Sequence, residues 1–280
     1  MELREVFSAE PKSIYQLLCD PGTGFYIPAY QREYTWGKDK IERLFEDCLH
    51  GLTKLVENDD AITFLGTLIV IHDTKYATVA PISQGNMPPR VLLVIDGQQR
   101  TTTLLVLATA LHEEITKRLK ALGEKDLSPE ATWIKNQCLS LKEALESTFR
   151  ISMTYGEGNY KYYPRLIRAF IDSWSRSAAS AVYRSPVASL LFSYSNHCNN
   201  QTSKYEFVTP EELSIEEAKK YDSVQKIRKA IIGEIAKLAN GKNDETEFPD
   251  LESLLSHEDF QQILFKTKIE KPVLDFFAIP

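Results

Sequence analysis

The order of apolar and polar positions divides the chain into recognisable elements. Between residues 38 and 56, Ile41, Leu44, Phe45, Cys48, Leu49, Leu52 and Leu55 recur at helical spacing, which predicts a helix with one face on a core. Residues 64–71 (FLGTLIVI) and 91–95 (VLLVI) are short, continuous apolar runs, the pattern of strands buried on both faces. The second run passes directly into Asp96-Gly97-Gln98-Gln99-Arg100. A helix is predicted next, over 101–119, apolar at Leu104, Leu107, Ala108, Leu111, Ile115 and Leu119. Upstream, residues 12–19 predict a short helix stopped by Pro21-Gly22. Residues 25–36 (FYIPAYQREYTW) contain Pro28, which forces extended geometry on Ile27, so an edge strand or ordered loop is expected. Residues 72–90, with three prolines and a glycine, form a long connection.

Beyond Gly123 the pattern becomes mainly helical. Helices are expected near 128–149, 164–175, 187–197, 209–240 and 251–265, with brief strand character at 150–154 and 161–163. The fold class is therefore α+β, with a mixed first portion over 1–122 and a mainly helical portion over 123–280. Residues 241–249 are the most obvious polar loop.

Composition adds exclusions. No apolar run reaches membrane-spanning length, and the acidic start Met1-Glu2-Leu3-Arg4-Glu5 lacks the pattern of a secretory leader, so a cytoplasmic protein is expected. Cys19, Cys48, Cys138 and Cys198 are widely spread, which fits reduced thiols better than zinc ligands or a disulfide framework. The net charge of −6 is unevenly distributed. From 149 to 205, Arg150, Lys161, Arg165, Arg168, Arg176, Arg184 and Lys204 face only Glu157 and Asp172. That run is either a local nucleic-acid patch or simply a solvated basic face.

The richest chemistry lies at the strand–DGQQR–helix junction. Gly97 permits a tight turn and close backbone approach to a ligand, and the following helix start favours a phosphate. Arg100 offers a bidentate bond to phosphate oxygens, and Thr101 and Thr102 offer hydroxyls. Asp96 has the chemistry to hold Mg2+, and Gln98 or Gln99 to orient an attacking water. The alternative is a plain helix start, with Asp96 as its N-cap and the glutamines solvated.

The second constellation is Pro28-Ala29-Tyr30-Gln31-Arg32-Glu33-Tyr34-Thr35-Trp36. A cation among aromatics suits stacking and phosphate contact with a nucleotide or DNA. For Tyr34 and Trp36, core packing is the better reading, and Arg32 has Glu33 and Glu46 as candidate ion-pair partners. His72-Asp73, His197-Cys198 and His257 are isolated from third ligands and nucleophiles. There is no Walker A loop and no His-Asn-His nuclease constellation.

In this order and spacing, IPAYQREYTW, FLGTLIV and VIDGQQRTTTLLVL resemble the N-terminal domain of GmrSD-type modification-dependent restriction endonucleases. That family includes the phosphorothioate-sensing defence protein SspE. The resemblance covers about residues 10–120, with the remainder similar only in its helical style. It implies a ParB/sulfiredoxin-like small mixed sheet with helices, followed by a helical subdomain. It also implies hydrolysis of a nucleoside triphosphate (GTP, UTP or ATP), stimulated by modified double-stranded DNA during anti-phage defence. Asp96, Gln98, Gln99 and Arg100 carry over as the hydrolysis motif, with Gly97, Thr101, Thr102 and Arg32 on the nucleotide. Pro28, Tyr30 and Gln31 carry over toward the modified DNA backbone, where Arg165 and Arg168 of the basic run would join them. The family's His-Asn-His nuclease is expected C-terminal to this chain or on a separate one, and self-association into a homodimer is left open.

Overall fold

The protein is described by a computed structural model that covers residues 8–58, 61–74, 88–122, 129–155, 159–174, 183–200 and 205–239. The elements are α1 (Ile14–Leu18), β1 (Thr23–Ile27), α2 (Lys38–Glu57), β2 (Ile69–His72), β3 (Arg90–Asp96) and α3 (Gln98–Leu122). They continue with α4 (Pro129–Phe149), β4 (Arg150–Tyr155), β5 (Asn159–Pro164), β6 (Leu166–Arg168), α5 (Pro186–Asn200) and α6 (Ile215–Ala239). The helix predicted over 251–265 lies outside the described residues.

The main sheet has the order β2-β3-β1-β6. β1 lies inside it, parallel to β3 on one side (Phe25 opposite Leu92) and to β6 on the other (Phe25 opposite Leu166). All five β1 residues are buried, so its apolar content is core rather than the edge strand or loop expected. Pro28 ends the strand, and the rest of that stretch is loop. β4 and β5 form a separate antiparallel pair, as the brief strand character predicted.

Two expectations are corrected. Of residues 64–71, expected as a doubly buried strand, only the end enters the sheet, as the antiparallel edge strand β2. Ile69 and Ile71 stay exposed despite their apolar character. The helix expected over 164–175 is instead β6 followed by a turn. The open edge of β1 explains it: Phe25 N–H donates to Arg165 O (2.7 Å) and Ala169 N–H to Ile27 O (2.9 Å). Three residues are too few for a periodicity to register.

β6 joins the sheet across residue 122, where the sequence placed a boundary. The main core does likewise, packing Phe25, Val94 and Leu105 with Phe149, Leu190, Tyr194 and Tyr221. α3 is the central helix, in contact with α4, α5 and α6. α6 starts at Ile215 rather than 209 because Ser214 caps it: Glu217 N–H donates to Ser214 Oγ (3.3 Å), and the Glu217 carboxylate accepts from Ser214 N–H (2.9 Å). All four cysteines are free thiols, as expected.

Candidate nucleotide and nucleic-acid site

Because β3, β1 and β6 are parallel, their carboxyl ends open on one edge of the sheet. Three segments leave that edge: the Pro28–Glu33 loop after β1, Asp96-Gly97 after β3, and the turn 169–172 after β6. The chain reaches β3 and β6 on opposite sides of β1. This arrangement leaves a crevice of the kind where open α/β sheets bind ligands.

The two sequence signatures are stapled together there. Gln98 Nε2 donates to Arg32 O (2.8 Å), Gln99 Nε2 to Glu33 O (2.9 Å), and Gln99 Oε1 accepts from Thr35 N–H (2.8 Å). In return, Gln31 Nε2 donates to Ile95 O (2.7 Å), and Tyr34 Oη pairs with Thr103 Oγ1 (2.7 Å). Arg168 completes the ring from β6, donating to the carbonyls of Gln31 and Arg32, while its Nε stands 3.6 Å from the Glu33 carboxylate. Lys220 of α6 reaches the same carboxylate (3.2 Å). Glu33 thus belongs to Arg168 and Lys220 rather than to Arg32. Tyr34 and Trp36 pack on the core, as expected.

This geometry changes the reading of the glutamines. Both are buried, so neither is a solvated helix-start residue. The Gln99 amide is engaged through both its oxygen and its nitrogen, which makes it a clamp on the loop. Gln98 keeps one group unspent, since its buried Oε1 has no partner among the described residues. It borders a cleft of about 40 Å³ with Glu33, Thr102, Arg168, Ser185 and Lys220. That volume suits water rather than a nucleoside.

The start of α3 is open. Thr101 N–H donates to Gly97 O (2.9 Å), which makes Gly97 the N-cap and leaves the Gln98, Gln99 and Arg100 amides without acceptors among the described residues. Asp96 is therefore not the cap. Its carboxylate is exposed and makes no hydrogen bond or ion pair among the described residues. Gly97 has φ +88°, and a Cβ there would meet Leu68 Cδ1 at 2.8 Å, so glycine is required as the 66–68 segment passes over. Arg100 Nη1 donates to Thr67 O (2.9 Å), and its guanidinium lies against Gly66, itself at φ +105°.

Other predicted positions divide clearly. Tyr30 is 72 % exposed and Arg32 is exposed with no side-chain partner among the described residues, whereas Pro28 is buried. Thr101 and Thr102 are also buried, on the core side of α3. Arg165 is not a surface DNA contact. It is 2 % exposed, and its guanidinium donates to the carbonyls of Asp20, Thr23, Ser147, Thr148 and Arg150. Burial lowers its pKa to about 10, against the opposing charges of Cys19 and Asp20. Arg150 pairs with Glu146 and Asn199, and Arg184 with Glu217. Arg150, Arg165 and Arg168 of the basic run are thus spent internally, while Arg184 pairs with Glu217 at the surface and Arg176 and Lys204 lie outside the described residues. Among the described residues, no three His, Cys, Asp or Glu side chains gather as a metal site, and Asp96 stands alone. His257 lies outside the described residues.

Two contributors went unseen in the sequence: Lys220, which meets Glu33 from 187 residues away, and Phe170 in the turn after β6. Neither sits in a motif, and only the tertiary pairing of β6 with β1 brings Phe170 to this edge.

Fold and site together define an α+β protein that presents a helix start with no side-chain cap among the described residues, two partly or fully exposed arginines and a carboxylate at the open ends of three parallel strands. Residues 14–271 match the family described as GmrSD restriction endonuclease, N-terminal domain, and the chain belongs to it. The match extends far past the 10–120 stretch that carried the resemblance, taking in β6, α5 and α6. No curated protein matches the chain. No helix among the described residues is long and apolar enough to cross a membrane.

Proposed function

We propose that this chain is the nucleoside-triphosphate-binding and hydrolysing sensor domain of a modification-dependent anti-phage restriction protein, reading modified DNA and controlling a nuclease region. The observation that carries this is the stapling of the DGQQR and YQREYTW segments into one edge, where the first three amides of α3 have no acceptor among the described residues and Arg100 follows them. Unpaired amides at a helix start, with arginines nearby, are a phosphate-binding arrangement.

In this reading Gln98, Gln99 and Arg168 fix the loop so that Arg32 is held near the helix start. The α3 amides and Arg100 hold phosphate oxygens, Arg100 exchanging Thr67 O for the ligand. Asp96 is the exposed carboxylate, and one carboxylate with phosphates and water is a donor set magnesium accepts. Water positioning falls to Gln98 Oε1, which has no partner among the described residues, while Gln99 clamps the loop. Tyr30 faces the modified DNA backbone.

The test is phosphate release by wild type and Asp96→Ala, each with and without phosphorothioated duplex. Release that rises with modified DNA and is lost in Asp96→Ala is expected. No release by wild type under any condition would leave a non-hydrolysing nucleotide- or DNA-binding module. The commitment of Gln99 to the loop is the observation favouring that second reading.

A further inference from the structure

Phe170 has φ 60°, the only positive φ of a non-glycine among the described residues. A left-handed backbone is unfavourable for an L side chain, and burial in a core usually offsets the cost. Here it does not, since the Phe170 ring is 73 % exposed. The surrounding structure nevertheless enforces the conformation. Asp172, 1 % exposed, accepts from Arg168 N–H (2.8 Å), Ser185 N–H (2.8 Å) and Ser185 Oγ, and Asp172 N–H donates back to Arg168 O (3.0 Å). The turn is tied to β1 through Ala169 N–H and to the neighbouring loop through the bond from Arg168 to Gln31 O.

An apolar ring is thus held out in water at the carboxyl edge of the parallel strands, in the turn beside the loop that carries exposed Tyr30 and Arg32, whose side chain has no partner among the described residues. Rigid aromatics with cations alongside suit a planar base attached to phosphate, the base stacking and the arginines taking the oxygens. We infer that Phe170 is a base-stacking residue for the ligand of this edge, an inference that rests on the phosphate-binding reading above. The base belongs either to the nucleoside triphosphate or to DNA.

The experiment measures binding of GTP, ATP, inorganic tripolyphosphate and a short phosphorothioated duplex to the full chain by calorimetry, with thermal melting alongside. Phe170→Gly, whose residue accepts positive φ, is expected to melt no lower than wild type and to bind tripolyphosphate unchanged. It should bind at least one base-bearing ligand roughly ten-fold more weakly. Loss confined to the nucleotides assigns their base to Phe170, and loss confined to the duplex assigns a DNA base. Phe170→Trp should retain binding, with indole emission quenched by that same ligand. Wild-type affinity of Phe170→Gly for every base-bearing ligand, an equal loss for tripolyphosphate, or a lower melting temperature would each overturn the inference. Arg100→Ala binding all ligands as wild type would instead count against the phosphate reading, and a wild-type chain that binds none of them would overturn both.

Discussion

Replacing Gln99 by glutamate tests whether this residue clamps the loop or acts on a ligand. The substitution keeps the shape and the acceptor facing Thr35 N–H (2.8 Å) but replaces the donor facing Glu33 O (2.9 Å) with a second oxygen. With the carboxylate ionised, two oxygens meet in a site where residue 99 is 8 % exposed. Losing one buried hydrogen bond and leaving its carbonyl unpaired costs about 1–3 kcal/mol, with more where a charge is left buried. A total of roughly 2–4 kcal/mol corresponds to a fall in Tm of about 5–10 °C for a chain of this size. The effect has a defined pH sign. A protonated carboxyl restores the donor, so the variant's pKa is raised in the fold. Stability is retained below the unfolded carboxylate pKa near 4.3 and lost as pH rises through the raised value. Melting curves of wild type and Gln99→Glu from pH 4 to 8 follow this directly (roughly the range that brackets the titration). A variant that melts with wild type at pH 8 but has lost phosphate release would refute the clamp and return Gln99 to the chemistry.

Two further expectations concern positions away from the carboxyl edge of the parallel strands. Arg165→Met strips the donors from five carbonyls and should destabilise the fold by about 3–5 kcal/mol, the scale for breaking a buried charged network. Chemical denaturation measures it, and an unchanged midpoint with impaired DNA binding would restore the surface reading of this residue. The second expectation concerns acid. Burial alone would raise the pKa of Glu146, but the His112 hydrogen bond and the charges of Arg150, His112 and Lys142 bring it down to about 2. Its contribution is present in full above the ordinary value of 4.5 and is lost as pH falls toward 2. Removing it with Glu146→Gln should therefore flatten the acid limb of the stability profile, and an unaltered acid midpoint would contradict the assignment.

The long periodic segments were legible without coordinates. α2, α3, α5 and the strand β3 follow from apolar spacing because each buries a face long enough to repeat. β6 was not legible. Its three residues owe their conformation to the open edge of β1, and the helix predicted there had no such partner to weigh. The charge run around it misled for a related reason, since sequence counts Arg150, Arg165 and Arg168 as positive surface while the fold spends them on carbonyls and Glu146. At the site, the two signatures were visible as motifs, but the roles of the glutamines were not. Nothing local says that Gln99 faces the backbone of Thr35 and Glu33, 64 and 66 residues earlier.

The loop after β1 is gripped through the carbonyls of Gln31, Arg32 and Glu33, the amide of Thr35 and the side chains of Gln31, Glu33 and Tyr34, none of them the side chain of residue 30 or 32. Its posture is therefore nearly independent of what residues 30 and 32 carry. Such a loop works like a fixed frame with interchangeable faces: the exposed side chains at 30 and 32 can be exchanged while the frame keeps its shape. A domain of a modification-dependent restriction family gains from this separation, because a change of exposed side chains needs no new scaffold.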